Sequence, residues 1–136
     1  MVIISVDYGD VRTGVAACDK LQMLASPVTV IKQKDPELLS EEIKKICLEK
    51  KAEKIVLGLP KNMDGSEGFR AEACKEFAKL LSEKTGLSVD FQDERLTTVS
   101  AHNILNATDT RGKKRKAVVD AVSAVLILED YLRKQN

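Results

Sequence analysis

Three acidic residues occupy positions where a folded chain could gather carboxylates. Asp7 follows an apolar run at 2–6, Glu94 follows a stretch of alternating apolar and polar residues at 87–92, and Asp120 lies within a helical pattern. Three oxygen ligands without a nearby His or Cys pair suit a hard cation such as Mg²⁺ or Mn²⁺. Two such ions, about 4 Å apart, could activate a water and stabilise the leaving oxygen of a phosphodiester. The acids therefore indicate metal-assisted hydrolysis. The alternative is that they are helix caps and solvated surface groups, because a chain with 21 acids contains many such triples.

Asp120 is the most informative of the three acids. It shares a helical stripe with Ala124, Ile127 and Tyr131, which follow it by four, seven and eleven residues. A carboxylate on an apolar stripe tends to face protein rather than water. Burial of an ionised carboxylate is unfavourable unless a cation or hydrogen bonds compensate. The pattern thus predicts a partner for Asp120.

The elements that must position these acids follow from the apolar periodicity. Strands are predicted over 2–6, 13–18, 23–31, 54–59 and 87–92, and helices over about 36–51, 66–86, 98–105 and 116–133. Short connections favour an antiparallel arrangement of the first three strands. Right-handed crossovers would place the first, fourth and fifth strands side by side in parallel. We therefore expect an α/β fold whose five-stranded mixed sheet is flanked by helices.

Local signals define several boundaries of these elements. Asp35 is a predicted cap for the first helix, with Pro36 at its first position, and Ser66 is a predicted cap for the second. The second helix is expected to end at Gly86. Its predicted buried face consists of Phe69, Ala73, Phe77, Leu80 and Leu81. The polar segment 106–116 loses periodicity and is predicted to be a mobile loop.

Length and composition exclude several classes of protein. A chain of 136 residues suits one domain, 1–136, and its 43% hydrophobic content argues against disorder. The three cysteines are widely spaced, which argues against a disulfide framework or a zinc knuckle. The longest apolar stretch, 117–128, is shorter than the ~20 residues of a membrane span. We expect a cytoplasmic protein with no membrane partner.

Four stretches of the chain resemble the YqgF family of bacterial proteins, also called RuvX or Holliday junction resolvases. They are VDYG at 6–9 with RTG at 12–14, VLGLP at 56–60 with MDGSE at 63–67, DERLTT at 93–98, and DAVSA at 120–124 with LIL at 126–128. They occur in the family's order and at its spacing, so the resemblance covers almost the whole chain.

The resemblance implies an RNase H-like fold with Asp7, Glu94 and Asp120 as the acidic active-site residues. It also implies a role in maturing the 5′ end of pre-16S ribosomal RNA, with cleavage of Holliday junctions as an alternative. The expected partners are thus pre-rRNA, branched DNA and ribosomal particles. Whether the protein is a monomer or a homodimer stays open, as does endonuclease against exonuclease action.

Basic residues near these motifs are candidates for contacts with nucleic acid. The net charge is only +1, so this interpretation depends on where the charges cluster. Five cations fall within six residues at 111–116, where a flexible loop could hold phosphates or could simply be solvated. The candidates are Arg12, Lys61, Arg95, Arg111, Lys113, Lys114 and Arg115. Arg95 could instead orient a carboxylate, and Arg12 could be an exposed turn residue. The segment 61–68 precedes a helix, where backbone N–H groups could contact a phosphate, but it could also be a plain strand-to-helix connection.

Two other functions remain possible at this point. The Asp7–Gly9 turn with Gly14 also resembles the first phosphate loop of actin-like ATPases and sugar kinases, which need a longer chain. A non-catalytic module that binds nucleic acid or ribosomes is the second, because a fold does not determine a function. Bases could stack on Tyr8 or Phe69, but an aromatic platform is not evident among five aromatic residues. The single histidine, His102, is assigned no catalytic role.

Overall fold

The computed structural model describes residues 1–60, 68–93 and 112–135, with side chains in the last segment described from Val122 to Lys134. The strands are β1 (Ile3–Asp7), β2 (Arg12–Cys18), β3 (Ala25–Lys32), β4 (Lys54–Leu59) and β5 (Ser88–Asp93). The helices are α1 (Pro36–Lys50), α2 (Phe69–Thr85) and α3 (Gly112–Gln135). The predicted helix over 98–105 lies outside the described residues.

The five strands form one mixed sheet in the order β3-β2-β1-β4-β5. The pairs β1–β2 and β2–β3 are antiparallel, whereas β1–β4 and β4–β5 are parallel. The predicted topology is therefore confirmed. The third strand begins at Ala25 rather than at 23, because the Asp19 carboxylate accepts hydrogen bonds from the backbone N–H groups of Met23 (2.7 Å) and Leu24 (3.2 Å). Those bonds hold both residues in the turn before the strand.

Side-chain alternation along the central strands creates two hydrophobic cores, one on each face of the sheet. Ile4 and Val6 of β1 belong to the core that includes α1 and α2. Ile3 of β1 and Val56 of β4 belong to the core that includes α3. Both faces of β1 are thus covered, which explains its near-continuous apolar sequence.

At the ends of the first two helices, the predictions for Asp35 and Gly86 are confirmed, whereas those for Ser66 and Phe69 are wrong. The Asp35 carboxylate caps α1 by accepting a hydrogen bond from the Glu37 N–H (2.9 Å), as predicted. The cap of α2 is Gly68 rather than Ser66, and Gly68 brings no side-chain acceptor. Phe69 is 83% exposed, so its predicted burial is also wrong. The buried face of α2 consists of Ala71, Cys74, Phe77, Ala78 and Leu81.

The third helix begins earlier than its sequence predicts. The sequence predicts a mobile loop at residues 112–116, but they form the first turns of α3. Lysine and arginine are good helix formers, so loss of apolar periodicity does not require loss of helix. Within the described segments, no helix has both the length and the apolar character needed to cross a bilayer.

Candidate active site at the carboxyl edge of the parallel strands

Asp7 is the last residue of β1, as predicted, and lies opposite Gly14 of β2. Strand alternation places Ile3, Ser5 and Asp7 on the face of the sheet that α3 covers. The buried Ser5 hydroxyl donates a 2.6 Å hydrogen bond to the backbone carbonyl of Ala124 in α3. This bond fixes the position of α3 along β1.

The direction of α3 follows from a second contact with the sheet. Tyr131, two turns after Ala124, contacts Lys54 at the start of β4, and Lys54 lies opposite Ile3. The helix therefore runs antiparallel to β1. Asp7 lies two residues beyond Ser5, about 6.6 Å along the strand. Position 120 lies four residues before Ala124, about 6 Å along the helix, and is therefore level with Asp7 at the same edge.

The other parallel strands end at this same edge. Val6 of β1 lies opposite Leu57 of β4, and Leu59 of β4 lies opposite Asp93, the last residue of β5. One strand separates β1 from β5, which makes the distance between them roughly 10 Å. The structure thus brings Asp7, Asp93 and position 120 to one edge. Glu94 is next in the chain and lies outside the described residues.

The described side chains do not by themselves form a complete metal site. Among them, no three His, Cys, Asp or Glu side chains converge. The described side chains include neither that of Glu94 nor that of Asp120, which are two of the three predicted ligands. The predicted triad stays a prediction at this point.

The turn after Asp7 is unusually tight. A Cβ atom at Gly9 would lie 2.1 Å from the carbonyl oxygen of Arg12, so only glycine fits. The Gly9 N–H points to the Thr13 hydroxyl at 3.4 Å. This glycine lets the chain reverse directly beside Asp7.

Arg70, near the start of α2, is a residue that sequence reasoning missed. Its guanidinium donates a 2.8 Å hydrogen bond to the Tyr8 carbonyl oxygen and pairs with the Asp10 carboxylate. It also lies 5.7 Å from the centre of the Tyr8 ring, which stacks on Phe77 with ring centres 4.2 Å apart. Burial raises the pKa of the Tyr8 hydroxyl above its usual value, and the Arg70 charge partly opposes that shift. The spacing of seven between Arg70 and Phe77 was the available signal, since it puts both on one face of α2.

Arg12 is the first residue of β2 and lies opposite Lys32 in the antiparallel register with β3. Its Nε atom is buried and has no hydrogen-bond partner among the described residues. The other predicted phosphate contacts are less defined. Lys61, Arg95 and Arg111 lie outside the described residues, and Lys113, Lys114 and Arg115 are placed only by the backbone of α3.

A second polar cluster, also missed by sequence reasoning, lies at the opposite end of the sheet. The Tyr131 hydroxyl donates a 2.6 Å hydrogen bond to the Asp90 carboxylate and accepts one of 3.2 Å from the Lys54 ammonium. Lys54 and Asp90 form an ion pair of 3.3 Å. The Tyr131 hydrogen bond, together with Lys54, lowers the pKa of Asp90. These contacts fasten the last turns of α3 to β4 and β5.

Comparison with known proteins places this architecture in a family. A family model described as "RuvX: Holliday junction resolvase" matches residues 1–134. The chain belongs to this family. The predicted membership is thus confirmed over nearly the full sequence.

Relatives in the RuvX family share much of the sequence. A protein of Halothermothrix orenii named "Putative pre-16S rRNA nuclease" is 46% identical over 136 residues, with 100% of this chain and 97% of that protein covered. Proteins with the same name from Clostridium botulinum and Lactococcus lactis subsp. cremoris are 44% and 45% identical. They cover 97% and 96% of this chain, and 96% and 92% of their own lengths.

Solved structures share the fold at much lower sequence identity. RuvC of T. thermophilus, in complex with a Holliday junction substrate, matches with a TM-score of 0.63 at 11% identity, covering 100% of this chain and 97% of that one. The fowlpox virus Holliday junction resolvase matches with a TM-score of 0.57 at 14% identity, covering 98% and 99%. These likenesses confirm the RNase H-like fold.

Proposed function

We propose that this protein is a metal-dependent nuclease that hydrolyses phosphodiester bonds during 5′-end maturation of pre-16S rRNA. The observation that carries the proposal is the Ser5–Ala124 hydrogen bond, which sets Asp7 and position 120 level at one edge of the sheet. The names of the relatives, at 41–46% identity, supply the substrate. With that substrate, we expect the protein to act in the cytoplasm on ribosomal particles.

In this proposal, Asp7, Glu94 and Asp120 hold Mg²⁺ or Mn²⁺. Carboxylate oxygens are the ligands that these hard cations prefer. Asp93 is at the same edge but on the opposite face of the sheet, because it lies opposite Leu59 of the core that includes α1 and α2. Asp90 and Gln92 alternate onto the α3 side of β5, and Glu94 is the next position in that alternation. A bound pair of ions would polarise the phosphodiester and lower the pKa of an attacking water.

Basic residues around the same edge would hold the nucleic acid. The buried Nε of Arg12 has no hydrogen-bond partner in the part of the chain that the structure describes, which supports a role for this residue in binding a phosphate. Lys113, Lys114 and Arg115 lie in the first turns of α3, where the helix dipole also favours anions. The proposed set also includes three basic residues that lie near the motifs in the sequence, Lys61, Arg95 and Arg111.

Cleavage of a labelled pre-16S rRNA fragment in Mg²⁺ or Mn²⁺ tests this proposal. Asp7→Asn and Asp120→Asn should each lower kcat more than about 100-fold, beyond the 10–100-fold typical of losing an outer partner of a metal ligand. Asp130→Asn, on the same helix as Asp120, is the matched control and should retain activity. Cleavage that survives Asp7→Asn, or that persists in EDTA, would contradict the metal mechanism.

A DNA junction is the second candidate substrate, favoured by the description of the family model. A junction has two-fold symmetry that suits a homodimer, whereas trimming one RNA end needs a single site. Rates on the rRNA fragment and on a four-way DNA junction, measured with the same preparation, separate the two. Binding without cleavage of either substrate would instead support the non-catalytic module.

A further inference from the structure

We propose that Arg70 is a positioning residue that holds Asp7 in the geometry needed to bind metal. The inference rests on the proposed function, because it assigns Asp7 as a metal ligand. Arg70 is not itself one of the proposed metal ligands. It acts on the short segment Tyr8–Asp10 that leaves β1 immediately after Asp7.

The contacts of Arg70 clamp this segment at two points. One guanidinium nitrogen bonds the Tyr8 carbonyl oxygen at 2.8 Å, and another bonds the Asp10 carboxylate. The two acceptors lie on either side of Gly9, the residue with the fewest conformational restrictions in the turn. Because Arg70 lies in α2, the clamp connects the end of β1 to a rigid helix.

The packing beneath the clamp fixes its orientation. The Tyr8 ring stacks nearly parallel on Phe77, with an interplanar angle of 6°, and the Arg70 guanidinium lies 5.7 Å from the centre of the Tyr8 ring. Tyr8 is thus fixed by its ring and by its carbonyl oxygen. The peptide that joins Asp7 to Tyr8 is thereby held from its C-terminal side.

These contacts suit positioning better than general stability. The Asp10 side chain is 80% exposed, and exposed ion pairs contribute little to the free energy of unfolding. The fixed planar fork of an arginine instead provides geometry, because it can bind two oxygens at once. A lysine at the same position would keep the charge and lose the fork.

Arg70→Lys is therefore the first test. It should lower kcat about tenfold or more with little change in KM, as expected when the support of a metal ligand is lost. The Kd for Mn²⁺ alone, measured by titration calorimetry without substrate, should rise by about the same factor. Lys54→Arg is the matched control, because Lys54 also pairs with an aspartate and lies 5.8 Å from a tyrosine ring, but at the opposite end of the sheet.

Arg70→Gln gives a second test, in which the direction of the change in Mn²⁺ affinity decides. Removing a positive charge near a cation site should by itself tighten Mn²⁺ binding. If Arg70 positions Asp7, Mn²⁺ binding should weaken instead. Tighter or unchanged binding in Arg70→Gln would overturn the inference.

Three further results would also overturn it. The first is a kcat and an Mn²⁺ affinity in Arg70→Lys equal to those of the wild type, and the second is a change in Arg70→Lys that is confined to KM. The third is a loss of activity in Lys54→Arg equal to that in Arg70→Lys when both variants lose the same Tm. Asp7→Asn distinguishes this failure from failure of the proposed function. If Asp7→Asn binds Mn²⁺ normally, the metal site itself is wrong; if it does not and Arg70→Lys is normal, only the role of Arg70 is wrong.

Discussion

Phe69 presents 83% of its surface to solvent at the first position of α2, next to Arg70. An exposed aromatic ring beside a proposed nuclease site can stack on an unpaired base. We expect Phe69→Ala to weaken binding of single-stranded rRNA by about 1–3 kcal/mol, the usual contribution of one stacked base. Fluorescence anisotropy on an Asp7→Asn background, which prevents cleavage, measures this affinity.

Phe91→Ala is the control for this prediction, because Phe91 is also partly exposed, at 41%, but lies within β5. It should leave the affinity unchanged. Equal Kd values for the Phe69→Ala variant and its parent would show that stacking on Phe69 does not contribute to RNA binding.

For single residues, the sequence predicted candidate site residues better than it predicted which side chains are buried. Asp7 was placed correctly because a polar residue after a buried strand must lie at the edge of the sheet. Phe69 was assigned to the wrong environment, because apolar spacing does not show where a helix begins. The spacing of seven between Arg70 and Phe77 places Arg70 on one face of α2 with Phe77, but its partners, a backbone carbonyl and an exposed carboxylate, leave no pattern of their own in the sequence.

The first turns of α3 concentrate positive charge where the helix N-terminus is already electropositive. We expect that neutralising Lys113, Lys114 and Arg115 with glutamine weakens RNA binding and flattens its dependence on salt. For single strands, each lost phosphate contact reduces the slope of log K against log salt by about 0.7, so three contacts give about 2. Binding titrations at several salt concentrations measure the slope.

A triple variant of α1, Lys44→Gln with Lys45→Gln and Lys50→Gln, removes the same charge from a different helix. Its slope should stay close to that of the unchanged protein. If the two triple variants behave alike, net charge and not the position of α3 determines binding.

The helices and strands themselves were largely predictable. Alternating and continuous apolar runs identified all five strands, and Asp35 with Pro36 identified the start of α1. The start of α3 was not predictable, because a polar helical turn and a polar loop have the same composition. Its helical state follows from backbone propensity rather than from burial.

Stability of the whole molecule should depend on pH through Asp90, which joins α3 to the sheet. Its folded pKa lies below the ordinary value of 3.8, first because of the Tyr131 hydrogen bond and then because of Lys54. A lowered pKa contributes stability that is present above the unfolded value and is lost as pH falls through the folded value. The difference in unfolding free energy between the wild type and Asp90→Asn should therefore shrink below about pH 4.

Urea unfolding at neutral and acidic pH measures this difference. Tyr131→Phe provides an independent check, since it removes the hydrogen bond that lowers the Asp90 pKa and should reduce the same pH dependence. A difference between wild type and Asp90→Asn that stays constant as pH falls through the acidic range would contradict the prediction.

The topology of the whole molecule was predictable because handedness and short connections leave few arrangements of five strands. The register of α3 was not. It depends on one buried hydroxyl, Ser5, and on a tyrosine, Tyr131, whose partners are far away in sequence. The residues of the candidate site came from sequence, whereas the alignment of two of them came from these contacts.

The position of α3 at the end of the element order has a consequence for synthesis. The sheet face that carries Ile3 and Val56 can be covered only after α3 has left the ribosome. Because the same helix carries Asp120, a nascent chain cannot assemble the proposed acid set before α3 has been synthesised.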